Sequence, residues 1–225
     1  MVNVLKLQKS TARYEFADGI REFHSAFWIL VTGVYAWLFW DHPALWLSQV
    51  DTIRSQGTLF VILISFVLPI GVPLVISQLG LYYINQVVRR RWLWRNTGFI
   101  KPKSWVMPRR VLFIGYVISL CSFVIGILLA MQFADWWLII RGIYVGTGLA
   151  SAYMYWTLGS QMALPRYQWL ARLGLPATLI IAVLPLSAGL FSLILSLFWA
   201  GLLTVSGLYA MRQVAMQQRG SADGA

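Results

Sequence analysis

Arg141, Tyr144, Gly148, Ser151 and Tyr155 recur at i, i+3, i+7, i+10 and i+14 within an otherwise apolar stretch. At 3.6 residues per turn they share one helical face, so a cation, two phenols and a hydroxyl form a single stripe. Ionised side chains inside apolar runs face a bundle interior or a wet cavity, and such a stripe suits binding or gating of a small anionic solute. Counted from Trp136, however, Arg141 lies only about 7 Å along a helix axis at 1.5 Å per residue. Its guanidinium can equally snorkel outward to headgroups, or pair with Asp135 or Asp41.

A second polar stripe comes from Gln78, Tyr82 and Asn85 at i, i+4 and i+7, with Gln86 beside them. Amides and phenols in hydrocarbon need partners, so this stripe is expected to face other helices or water. It either hydrogen-bonds between helices or joins the Arg141 face in lining a vestibule.

Acid/base candidates are few. His24 with Glu22 or Asp18 is the one set near an interface, and it would serve a lipid-modifying enzyme. His24 and His42 flank opposite ends of one span, about 27 Å apart if helical, so they cannot share a haem. With one cysteine, Cys121, and two histidines, neither an intramolecular disulfide nor a four-ligand Cys/His zinc site is expected. Phosphate-binding glycine loops are absent. No catalytic residue, metal or cofactor is therefore assigned.

Arg89, Arg90, Arg91, Arg95, Lys101 and Lys103, followed by Arg109 and Arg110, are interleaved with Trp92, Trp94, Phe99 and Trp105. In a soluble chain, that pattern and a net charge of +11 would suggest nucleic acid. Between two long apolar runs, the tryptophans instead insert at headgroup level and the cations meet anionic lipid. Nucleic acid is not an expected partner; the bilayer and its anionic headgroups are.

The elements that position these residues follow from composition. Hydrophobic residues make up 59% and charged residues 11%, against about 45–50% and about 25% in soluble domains. Uncharged runs long enough to cross hydrocarbon recur along the chain, which predicts an all-α polytopic transmembrane helical bundle. Six spans are expected, at 25–40, 58–88, 111–131, 136–158, 173–190 and 191–211.

With the N-terminus inside, the inner segments hold Lys6, Lys9, Arg13, Arg21, the basic cluster, Arg166, Arg172, Arg212 and Arg219. The outer segments hold only Arg54. That bias predicts both termini on the cytoplasmic side of an inner membrane. Trp37, Trp40, Trp136 and Trp137 mark outer boundaries, and Trp92, Trp94, Trp105 and Trp169 inner ones.

Residues 1–24 read as a cytoplasmic or interfacial segment, 25–213 as the spanning domain and 214–225 as a short polar tail. Phe16, Ile20, Phe23 and Phe27 recur on one face away from Glu15, Asp18 and Glu22. That spacing predicts an amphipathic helix in the interface, with its carboxylates solvated or near the basic loop. A cleaved leader is not expected. The apolar run 173–211 must turn around, and Leu186-Ser187-Ala188-Gly189 after Pro185 is the best turn; the alternative is one crossing plus a re-entrant segment.

Gly142, Gly146 and Ala150 recur every fourth residue, and Gly126 with Ala130 and Ser196 with Ala200 offer similar faces. Small residues at that spacing admit a second helix, from this chain, a membrane partner or another copy. Val67-Leu68-Pro69 and Val183-Leu184-Pro185 match a weak inverted repeat of two three-helix halves, as in transporters. Functionally, the scarcity of chemistry points to a non-enzymatic accessory or scaffold subunit of a membrane assembly. The alternative is a transporter or channel for a small solute such as an anion, and a lipid-modifying enzyme comes third.

Overall fold

The computed structural model describes residues 16, 18–45, 57, 75–80, 83, 87 and 108–222. Five long helices lie among them: α1 (Ile20–Asp41), α2 (Arg109–Phe133), α3 (Trp137–Met162), α4 (Pro165–Val183) and α5 (Ala188–Ala222). All regular structure among the described residues is helical. Three helices are long and apolar enough to cross a membrane: α1, α2 and residues 188–216 of α5, with mean hydropathies of 1.3, 2.6 and 2.0. Polar residues such as Arg141 and Gln161 in α3, and Arg166, Gln168 and Arg172 in α4, lower the apolar content of those two helices. Both are flanked by other helices, α3 by α2 and α4, and α4 by α3 and α5.

The main contacts, α1 with α5, α2 with α3, α3 with α4 and α4 with α5, are antiparallel, while α3 and α5 touch in parallel. Gly142 and Gly146 of α3 lie against Ser122 and Ser119 of α2, so closely that a Cβ at Gly142 would stand 2.6 Å from the Ser122 carbonyl oxygen. Gly33 of α1 abuts Ser196 of α5, while Gly207 near the far end of α5 meets Phe23 near the start of α1. Trp199 of α5 donates its indole N–H to Thr178 of α4 at 3.1 Å. The bundle thus has two ends. One, here the Arg141 end, gathers Asp41, Phe133, Trp137, Val183 and Ala188; the other, the Arg166 end, gathers Ile20, Arg109, Met162 and Pro165.

The turns follow local chemistry. Ala134 and Ala163 adopt left-handed conformations, each with φ of 51°, after α2 and α3. Pro165 opens α4 at a position where a missing N–H costs nothing. Leu184, extended before Pro185, ends it.

Several expected boundaries move. The helix expected at 173–190 runs instead from Pro165 to Val183, because Arg166 and Arg172 are accommodated inside helical packing rather than left in a loop. The turn lies at 184–187, and Ala188 and Gly189 already belong to α5. Val183-Leu184-Pro185 therefore marks a helix end, while its counterpart at 67–69 lies outside the described residues.

The interfacial helix drawn through Phe16 to Phe27 is not a separate element. α1 starts at Ile20 after a left-handed Gly19 and continues unbroken to Asp41. Its buried side carries Ile20, Glu22, Ala26, Gly33 and Ala36, whereas Phe27 is exposed. The expected face is kept only in part: Phe16 and Ile20 are buried and Phe23 packs on Gly207 of α5, but Glu22 lies on the buried side with the small residues that let α5 approach. That places the Glu22 carboxylate inside.

Candidate functional site

The α3 stripe is where sequence and structure converge. At its outermost position, an Arg141 Nη donates to the Leu186 carbonyl in the α4–α5 turn. Its guanidinium carbon also stands 5.6 Å from the Phe191 ring centre. The two carboxylates expected to pair with it are engaged elsewhere. Asp135 accepts from the Trp137 amide at 3.0 Å, at the start of α3. Asp41 accepts from the Ser187 hydroxyl at 2.6 Å and the Gly189 amide at 3.1 Å, capping α5 from the end of α1. Arg141 thus binds backbone at a helix end and pairs with neither acid.

Below it, Tyr144 meets Phe191 edge to face, with ring centres 6.4 Å apart. Tyr144, Gly148 and Ser151 then line a cavity of about 220 Å³ closed by Trp28 and Thr32 of α1 and Trp199 of α5. Ser151 also borders a second cavity of about 200 Å³ with Met154, Tyr155 and Leu158. Tyr155 stacks on Tyr167 at 5.7 Å and on Trp199 at 6.1 Å. The expected face is therefore a real wall inside the bundle, reaching from the Arg141 end toward the Arg166 end.

At that far end lies a group the sequence reasoning missed. Glu22 Oε1 stands 2.8 Å from an Arg166 Nη, with the two side chains 1% and 10% exposed. Arg166 also donates to the Phe16 carbonyl. The buried phenol of Tyr167 stands beside both charges, so the pair sits in a small polar cluster rather than alone. Asp18, fully buried, accepts from the Ile20 amide at 3.2 Å and helps start α1. A signal was present: Glu22 shares its helical face with Ala26, Gly33 and Ala36, the small-residue side that had to meet a partner.

The acid/base set expected around His24 does not assemble as such. His24 Nε2 accepts from the Trp28 indole at 3.3 Å, while Glu22 is committed to Arg166 and Asp18 to the helix start. His42 packs its ring edge-on to Trp37 at 4.8 Å, at the opposite end of α1. Of the second stripe, Gln78 is exposed on helical residues 75–80, and Tyr82 and Asn85 lie outside the described residues. Arg89, Arg90, Arg91, Arg95, Lys101 and Lys103 lie outside them too.

The Gly142/Gly146 face, offered as a surface for a partner or second copy, is filled by α2 of the same chain. Gly126 stands against Gly142, so the small faces match each other internally and that surface is unavailable to another molecule. No protein-family model matches this chain, and neither a curated protein nor a solved structure shows significant similarity to it.

Proposed function

We propose that this protein is a six-crossing component of a cytoplasmic membrane, with both termini inside, acting as a non-enzymatic accessory or scaffold subunit of a membrane assembly. One observation carries the reading: charged groups at both bundle ends are spent on holding helices together. Arg141 and Asp41 tie the α4–α5 turn, Asp135 starts α3, and Arg166 with Glu22 joins α4 to α1. Fixed helix ends suit a rigid platform.

The helix directions support the crossing number. Through successive antiparallel contacts, α1 and α2 run the same way, so Asp41 and Arg109 lie at opposite bundle ends. The chain between them has to return from one end to the other, which agrees with one further crossing around 58–88. The basic residues then collect on one side.

Purification from native membranes in mild detergent, with identification of co-purifying proteins, tests the scaffold role. A stoichiometric membrane partner is expected. A protein that purifies alone, and drives solute flux in vesicles, overturns it. Transport is the second reading, favoured by Ser151 bordering two successive cavities along α3. On that reading Arg141→Gln abolishes flux while the chain remains folded.

A further inference from the structure

Arg172 is exposed on α4, and its guanidinium carbon lies 5.3 Å from the Trp156 ring centre and 5.2 Å from that of Trp169. Two indoles thus hold one cation in a defined position. Among the described residues it forms no ion pair with a carboxylate, in contrast to Arg166, which Glu22 neutralises. Its position is also unusual. One groove, of about 480 Å³, runs along one side of α4 against Ile118 of α2 and Leu149 of α3, with Trp156 and Arg172 in its wall. A second, of about 450 Å³, runs on the other side from Trp169 back to Pro165 against Leu202 and Val205 of α5; Arg166 stands in its wall and Arg172 does not.

We propose that Arg172 anchors the phosphate of one anionic diacyl phospholipid, one of whose acyl chains occupies the groove that α4 forms with α2 and α3. The geometry matches the ligand at three points. A guanidinium offers a planar fork for a phosphodiester. Indoles that are 43% and 57% exposed sit where ring systems favour the boundary between headgroup and chain. The first groove runs from Arg172 and Trp156 toward Leu149 and Leu175, away from the Pro165 end, which is the direction an acyl chain takes from its headgroup. Arg172 lies about 10 Å from the start of α4, and its side chain leans back toward that end. In the proposed topology that end faces the inner leaflet. A cation that no carboxylate among the described residues neutralises selects a net anionic headgroup over one bearing a positive choline.

The site rests on membrane orientation and not on the scaffold role, so it stands or falls separately from a missing partner. The test uses the full chain in mild detergent, titrated with dioleoyl phosphatidylglycerol or phosphatidylcholine and read by native mass spectrometry. One phosphatidylglycerol per chain is expected to survive, at about tenfold lower concentration than phosphatidylcholine requires. Arg172→Gln should erase that preference, and Leu175→Trp should fill the groove and weaken retention, whereas Val205→Trp in the separate groove should not. Replacing Arg89, Arg90 and Arg91 by Gln should leave it in place. Equal retention of both lipids, or unchanged preference in Arg172→Gln, overturns the site. So does loss of lipid only in the Arg89–Arg91 variant, or a groove variant that instead changes the number of chains in the particle.

Discussion

The Arg141 end and the Arg166 end solve the same problem differently. At the Arg141 end, each ion meets backbone or hydroxyl groups at a helix terminus: the Leu186 carbonyl, the Gly189 and Trp137 amides and the Ser187 hydroxyl. The two carboxylates sit at helix N-termini, whose amides carry partial positive charge, and Arg141 meets a neutral carbonyl, so no second full charge has to be desolvated. At the Arg166 end, a full cation meets a full anion almost out of contact with solvent. Such pairs add little net stability over an apolar replacement, yet breaking one is expensive. One end is therefore tolerant, the other brittle.

The sharpest way to break this contrast is at Glu22 and Arg166. Glu22→Leu or Arg166→Met alone should each cost about 3–5 kcal/mol, since one buried charge loses its partner. Glu22→Leu with Arg166→Met together should recover most of that loss. Unfolding in mixed micelles, followed by circular dichroism, gives the double-mutant cycle, and additive single effects would remove the claim of a brittle end. At the other end, Asp41→Ala should cost about 0.5–2 kcal/mol, as for loss of a helix cap. Asp41→Asn keeps an acceptor and should cost less. If Asp41→Ala matches the Glu22 single variant, the two ends are alike after all.

The smallest effect concerns the turns, one at each end. Ala134 and Ala163 share a φ of 51°, a region where a Cβ is strained. Ala134→Gly and Ala163→Gly should each stabilise by about 0.5–1 kcal/mol, the strain relief exceeding the entropy glycine adds to the unfolded chain. The same assay reads both. A gain at only one end would mean that backbone strain, as well as charge, distinguishes the ends.

How far the sequence reveals this depends on the range of the physics involved. The helices α2 and α3 were legible because a local apolar run marks each one's bounds within a few residues. The α4–α5 turn was legible because Pro185 interrupts the ladder of hydrogen bonds wherever it sits. The stripe from Tyr144 to Tyr155 was legible because helical spacing alone puts those side chains together, and the cavities beside it follow. Glu22 and Arg166 were not, since counting charges per loop treats each ion as solvated and cannot see a partner far along the chain. Asp41 was read as a partner for Arg141 by proximity to a boundary. Its actual partners are supplied by a turn whose position depends on the whole bundle.

The pairing of α1 with α5 joins the earliest described helix to the last. A ribosome adding about 5–20 residues per second needs on the order of ten seconds to go from Glu22 to Arg166. Throughout that interval the nascent α1 carries an acid whose counter-ion has not been made, and its glycine seam has nothing to grip. The packing of this helix is therefore completed only when the C-terminal third arrives to lock it.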